Sequence, residues 1–245
     1  MALAAVRNRP IPGAVATVGV SERVAFLRRT YAHLGVALLA FAALTAGMMR
    51  FTPEFSWGFS KWALQSQWTW LLLMVAFMAI GSIAQRMAHS DTSRGVQYAG
   101  LALFVVMEAF ILQPLLWVAL LRSGTNADFI KLVSSAGLIT MAIFVGLTLT
   151  VFVSKKDFSF MRGILMVATF ASLGVIIASM IFGFQLGAIF CGIMILLMAG
   201  YILYQTSIVA TQFPPTHHVA AALMLFSTIA TMFWYVLRLL MELRR

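Results

Sequence analysis

Gln97–Leu121 reads QYAGLALFVVMEAFILQPLLWVALL, 25 residues with one charged side chain, Glu108. As an α-helix this run rises about 37 Å, enough to cross the hydrocarbon core of a bilayer. Glu108 is twelfth of the 25 and falls near the middle. An acid at that depth is costly, and those that persist there face a bundle interior, where they are partnered or functional. The rest of the chain is read around this helix.

The composition sets the class. The 245 residues are 62% hydrophobic and 10% charged, with a mean hydropathy of +0.97. A soluble domain is about half apolar and about a quarter charged, so both departures point to an all-α polytopic membrane protein. A net charge of +10 would suggest nucleic acid in a soluble chain. Here the basic residues stand between apolar runs and at the ends, where they set topology and meet lipid headgroups; no nucleic-acid partner is expected. Cys191 is the single cysteine, which rules out an internal disulfide and a cysteine metal site.

Residues 1–20 carry Arg7, Arg9, Pro10, Pro12 and Gly13 and read as a flexible basic tail without a signal-peptide core. Residues 21–245 read as one transmembrane domain. SERVAFLRR, from Ser21 as N-cap to Arg29, predicts a short interfacial helix. Spans are expected at about 31–49, 68–84, 97–121, 132–153, 163–182, 186–209 and 219–237, a seven-helix bundle. Residues 50–67 read as a polar, aromatic loop. Pro114 predicts a kink in the third span. Gly137, Ala142 and Gly146 offer small faces for close contact in the fourth, and Gly183 and Gly187 have GxxxG spacing. Ten lysines and arginines fall on the side of the amino terminus and seven on the other, which places the amino terminus in the cytoplasm.

Four phrases carry a resemblance: FLRRTYAHLGVALLAF near the start, FVGLTLTVFVSKKDFSFMRGIL at Phe144–Leu165, YILYQTSIVAT, and AALMLFSTIATMFWYVLRLL at the end. In this order they resemble the Bax inhibitor-1 family of membrane proteins, which includes bacterial YccA-like members. The resemblance covers nearly the whole chain past residue 21, with the KKDFSF turn and the YILY phrase its most specific marks. Glu108, in MEAFILQPLL, looks like the glutamate of the family's EGLTLSP-type phrase. The resemblance implies a seven-helix fold whose last helix is enclosed by the others, a bacterial inner-membrane location, and in several members a pH-sensitive calcium leak. There two aspartates, one in each of the last two helices, share a proton and latch the pore. The chemistry is sound, because paired carboxylates in low dielectric cannot both ionise easily and their oxygens suit a hard cation.

This chain departs from that pattern at the latch. Gln205 stands where the YILYD phrase has its first aspartate, and Thr228 where the last helix has its second. An amide and a hydroxyl hydrogen-bond across helices but do not titrate near neutral pH. Arg86, at the end of the second span, resembles a basic residue near the family's pair and needs another partner here, or faces the headgroups.

Two readings of Glu108 stay open. One is a neutral acid hydrogen-bonded to a neighbour. The other is a proton or cation site on a polar path with helpers among Thr148, Thr150, Gln205, Thr206, Ser227, Thr228 and Thr231. His217 and His218 follow the Pro214–Pro215 turn, read as solvated loop, and lack i, i+4 zinc spacing. No nucleophile elbow, phosphate loop or metalloprotease motif occurs, so no enzyme activity, cofactor or metal is expected. Two functions follow. One is a regulatory membrane protein that binds others, such as a membrane-anchored protease, or acts in stress regulation. The other is a calcium or proton leak through Glu108.

Overall fold

In lipid every backbone N–H and C=O must be paired within the protein, and a helix does this within one segment. The computed structural model describes residues 13–90, 93–154 and 156–244, and all of their regular structure is helical. Eight α-helices run in the order α1 (Val20–Phe51), α2 (Pro53–Leu64), α3 (Gln67–Ala88), α4 (Arg94–Arg122), α5 (Asn126–Ser154), α6 (Arg162–Phe182), α7 (Ala188–Thr211) and α8 (His218–Leu243). Seven of them are long and apolar enough to span a membrane, α2 being the exception. Residues 1–12 of the expected tail, Asp91 and Lys155 of the charged loops, and Arg245 lie outside the described residues.

The outer surface is apolar. Leu39, Leu138, Leu196 and Ile189 are each more than 70% exposed, which suits a lipid-facing surface. Burial ranks the helices: 67% of the apolar window of α8 is buried inside the protein, against 6% for α6. The last helix is therefore the axis, packed by α1, α3, α4, α5 and α7, while α6 hangs on the outside against α7.

Three differences from the sequence reading concern the course of the helices and their contacts. First, Ser21–Arg29 is not a separate interfacial helix: α1 begins at Val20, with Gly19 and not Ser21 as its cap, and runs unbroken to Phe51. Nothing in that stretch breaks a helix, and at about 48 Å its first turns, with Glu22, Arg23, Arg28 and Arg29, extend the span past the hydrocarbon. Just before it, a 3-10 turn at Val15–Thr17 buries Val15 against Phe26, Val209 and Ala221, and the Val15 N–H donates to the Phe213 carbonyl.

Second, residues 53–64 are helical. Pro53 opens α2, where its missing N–H costs nothing. Its inward face is Ser56, Ser60 and Ala63, small and half polar, so it has no apolar periodicity to read. Third, the close helix contacts are elsewhere. A Cβ on Gly137, Gly146, Gly183 or Gly187 would meet nothing within 4 Å, whereas one on Gly100 would stand 2.6 Å from the Ala84 carbonyl oxygen. Gly100 with Ala84 and Ala88 brings the α3 and α4 backbones together. Gly183, at φ 73°, ends α6 as a left-handed cap. Pro114 sits within α4, which continues through it as one helix.

Candidate functional site

Gln205 lies on α7 and Thr228 on α8, and both are buried. The Thr228 hydroxyl donates to Gln205 Oε1 at 2.9 Å, and also lies 3.4 Å from the Met224 carbonyl of its own helix. The two positions expected to form one site therefore do meet, as a neutral pair. Thr231 donates to the Ser227 carbonyl at 2.8 Å and Ser227 to that of Met224 at 3.1 Å. These hydroxyls satisfy their own helix, a common fate for threonine and serine in apolar helices. Thr150 does the same with Gly146 on an exposed face.

Glu108 is 7% exposed and makes no hydrogen bond or ion pair among the described residues. It faces inward. One turn before it, Phe104 packs edge-on to Phe226 of α8, with centroids 6.1 Å apart. One turn after it, Leu112 lines an apolar cavity of 420 Å³ with Ile229 and Phe233. Phe226 and Thr228 are two residues apart on α8, about 200° around the helix. The face of α8 that meets α4 is thus not the face that meets Gln205, and Glu108 and the neutral pair stand on different sides of the central helix. Arg86, at the last turn of α3, is exposed with no ion pair among the described residues.

Three groups the sequence did not single out as a set converge beside Gln205. The hydroxyls of Tyr31, Thr148 and Thr206 face one another and are shut off from solvent. Thr206 follows Gln205 in α7, so this cluster is held by the residue next to one member of the neutral pair.

A second polar network was also missed. Gln113, fully buried, donates to the carbonyls of Thr45 (3.2 Å) and Ala109 (3.4 Å), and its Oε1 accepts the Ser56 hydroxyl at 2.7 Å. The Trp117 indole donates to Ser56 Oγ at 2.8 Å. This network pins α2 to α1 and α4. Its one sequence signal was an amide inside an apolar run.

The charged turn after α5 ties back to α7. Asp157 accepts the Ser159 N–H (2.8 Å), the Ser159 hydroxyl (2.9 Å) and the Ser207 hydroxyl (3.2 Å), and the Phe158 N–H donates to Ser207 Oγ. Burial pushes the Asp157 carboxyl upward, but these hydrogen bonds outweigh it and hold it below the usual aspartate range. Ser207 is two residues past Gln205, so the turn anchors the segment that carries the site.

The sequence matches the model of the family described as "Inhibitor of apoptosis-promoting Bax1" over residues 23–245. The chain belongs to the Bax inhibitor-1 family. As a member it is similar to Bax inhibitor 1 of Schizosaccharomyces pombe, 29% identical over 92% of this chain and 79% of that protein. It is also similar to Protein lifeguard 4 of Mus musculus, 26% identical over 92% of this chain and 88% of that one. Among the described residues of this Bax inhibitor-1 family member, no group of three or more histidine, cysteine, aspartate or glutamate side chains could hold a metal ion.

Proposed function

We propose that this protein is a regulatory member of its family that acts by binding other membrane proteins, a membrane-anchored protease being one candidate class, and not as a pH-gated calcium leak. The observation that carries the reading is the hydrogen bond from Thr228 to Gln205. A hydroxyl donating to an amide carries no net charge and exchanges no proton near neutral pH, so it cannot act as a proton-sharing latch. The S. pombe relative is named as an inhibitor, in keeping with a regulatory role. An inner-membrane location with the amino terminus in the cytoplasm belongs to this proposal and rests on the distribution of basic residues.

The test is calcium flux in proteoliposomes at two pH values. The parent protein passes no pH-dependent calcium current, and the double variant Gln205→Asp/Thr228→Asp gains one. Robust pH-dependent flux in the parent overturns the reading.

A second reading is favoured by Glu108, a buried acid without a partner among the described residues. In that case the protein leaks protons or a cation along the α4 side of α8, and Glu108→Gln abolishes the flux while the Gln205 and Thr228 variants leave it unchanged.

A further inference from the structure

All four histidines gather at one end of the bundle. His33 stacks on Tyr98, with ring centroids 5.4 Å apart, and lies 5.0 Å from His218; His89 lies 6.2 Å from His217. Beside them is a cavity of 670 Å³ between the first turns of α1, α4 and α8. Its wall is polar and includes Glu22, Arg29, Ser93, Arg94, Gln97 and His218.

Three observations define what would fill it. Among the described residues, the guanidinium groups of Arg29 and Arg94 make no hydrogen bond or ion pair, and Glu22 is the one carboxylate of the wall, so the balance of these side chains is positive. Two helix amino termini open there: α4 at Arg94, with Ser93 Oγ taking the Val96 N–H at 3.2 Å, and α8 at His218. Each presents unpaired N–H groups and the positive end of a helix dipole. Finally, two wall residues are buried polar groups. His218 is 5% exposed and its Nδ1 has no partner among the described residues, which is costly for a buried polar atom; Gln97 is 6% exposed, and its amide nitrogen donates to the Ser90 carbonyl at 2.8 Å.

We propose that this cavity binds a phosphate-bearing anion. The two guanidiniums give charge-assisted, fork-shaped contacts to phosphate oxygens, the helix ends supply N–H donors, and His218 adds a ring nitrogen. The volume leaves room for an organic group on the phosphate. The anion is either a soluble phosphoester or the headgroup of an anionic lipid, since the site lies at the end of the spans. This site stands apart from the Gln205–Thr228 pair and does not depend on the regulatory reading.

Two probes test it on the full-length purified protein. In detergent, inorganic phosphate raises the thermal unfolding midpoint above that in chloride of equal ionic strength. In nanodiscs of phosphatidylcholine and phosphatidylglycerol, native mass spectrometry finds phosphatidylglycerol retained. Phosphate binding alone assigns the site to a soluble ligand, lipid retention alone to a headgroup, and both to the shared phosphate chemistry. Arg29→Gln/Arg94→Gln weakens whichever is bound by about tenfold or more. Glu22→Gln, which removes the opposing charge, tightens it by about two- to fivefold. Binding of neither probe, or the same affinity in the parent and the double arginine variant, overturns the proposal. If the arginine variant does not fold, unchanged or weaker binding by Glu22→Gln overturns it.

Discussion

The Thr228 hydroxyl and the Gln205 side-chain oxygen, 2.9 Å apart, join α8 to α7 from positions 23 residues apart. Both groups are buried, so removing the donor strands an acceptor. Thr228→Val, nearly equal in shape, is expected to lower stability by about 1 kcal/mol, the usual value of an interhelical hydrogen bond in a membrane protein. Unfolding in mixed detergent measures it. A variant as stable as the parent would mean that Gln205 finds another donor.

Glu108 presents the reverse case, a buried acid with no partner among the described residues. Glu108→Leu removes an unsatisfied polar group from an apolar surround and is expected to raise stability by about 1–3 kcal/mol. The midpoint of thermal unfolding reads the effect. A fall would reveal that the carboxyl is satisfied by a bound ion or water, and would strengthen the leak reading.

Ser56 holds α2 through two partners, accepting from Trp117 and donating to Gln113. Ser56→Ala leaves an indole N–H and an amide oxygen unpaired, at about 1–3 kcal/mol. Loss of stability should come with a change in tryptophan emission, because the Trp117 ring also lies 5.1 Å from that of Trp57.

At Gly100 a Cβ would meet the Ala84 carbonyl at 2.6 Å and the Ala88 nitrogen at 2.8 Å. Backbone cannot step aside as a side chain does, so Gly100→Ala is expected to cost about 1–3 kcal/mol through overpacking. Gly146→Ala, with open space around its Cβ, serves as the control and should change stability little.

The Asp157 carboxyl is held below its ordinary pKa by hydrogen bonds from Ser159 and Ser207. A depressed folded pKa means stability that is fully present above the unfolded value of 3.8 and is lost as pH falls through the folded value. Asp157→Asn should therefore flatten the acid limb of stability against pH below about pH 4 and leave the neutral range nearly unchanged. Asp157 is exposed, so the effect should be a few tenths of a kcal/mol. An unaltered acid limb would show that the turn is not held through this carboxylate.

Much of the architecture could be read directly. The seven spans of the structure coincide with the seven apolar runs to within a few residues at most ends, although α1 starts eleven residues earlier, α5 starts six earlier and α8 ends six later. Membrane spans are legible because lipid demands a continuous apolar helix of bilayer length, a local property of the chain. That an amide and a hydroxyl, Gln205 and Thr228, stand inside the last two spans was legible for the same reason: it is a matter of residue identity at two positions.

What the run of residues could not supply was the side of the central helix to which each group turns. In a helix apolar all round, no periodicity marks a face; α7 is such a helix, and it packs on α8. Only the packing of α4 and α7 on different sides of it separates Glu108 from the Gln205–Thr228 pair. Helix α2 hid because its buried face is small and polar. His218 read as solvated loop because its burial depends on α1 and α4 closing over the end of α8. Length and hydropathy determined that this chain crosses a bilayer seven times, since each crossing is set by contact with solvent or lipid. Which polar groups meet inside was decided by the tertiary structure, because that depends on helix rotation and contact between segments far apart in the chain.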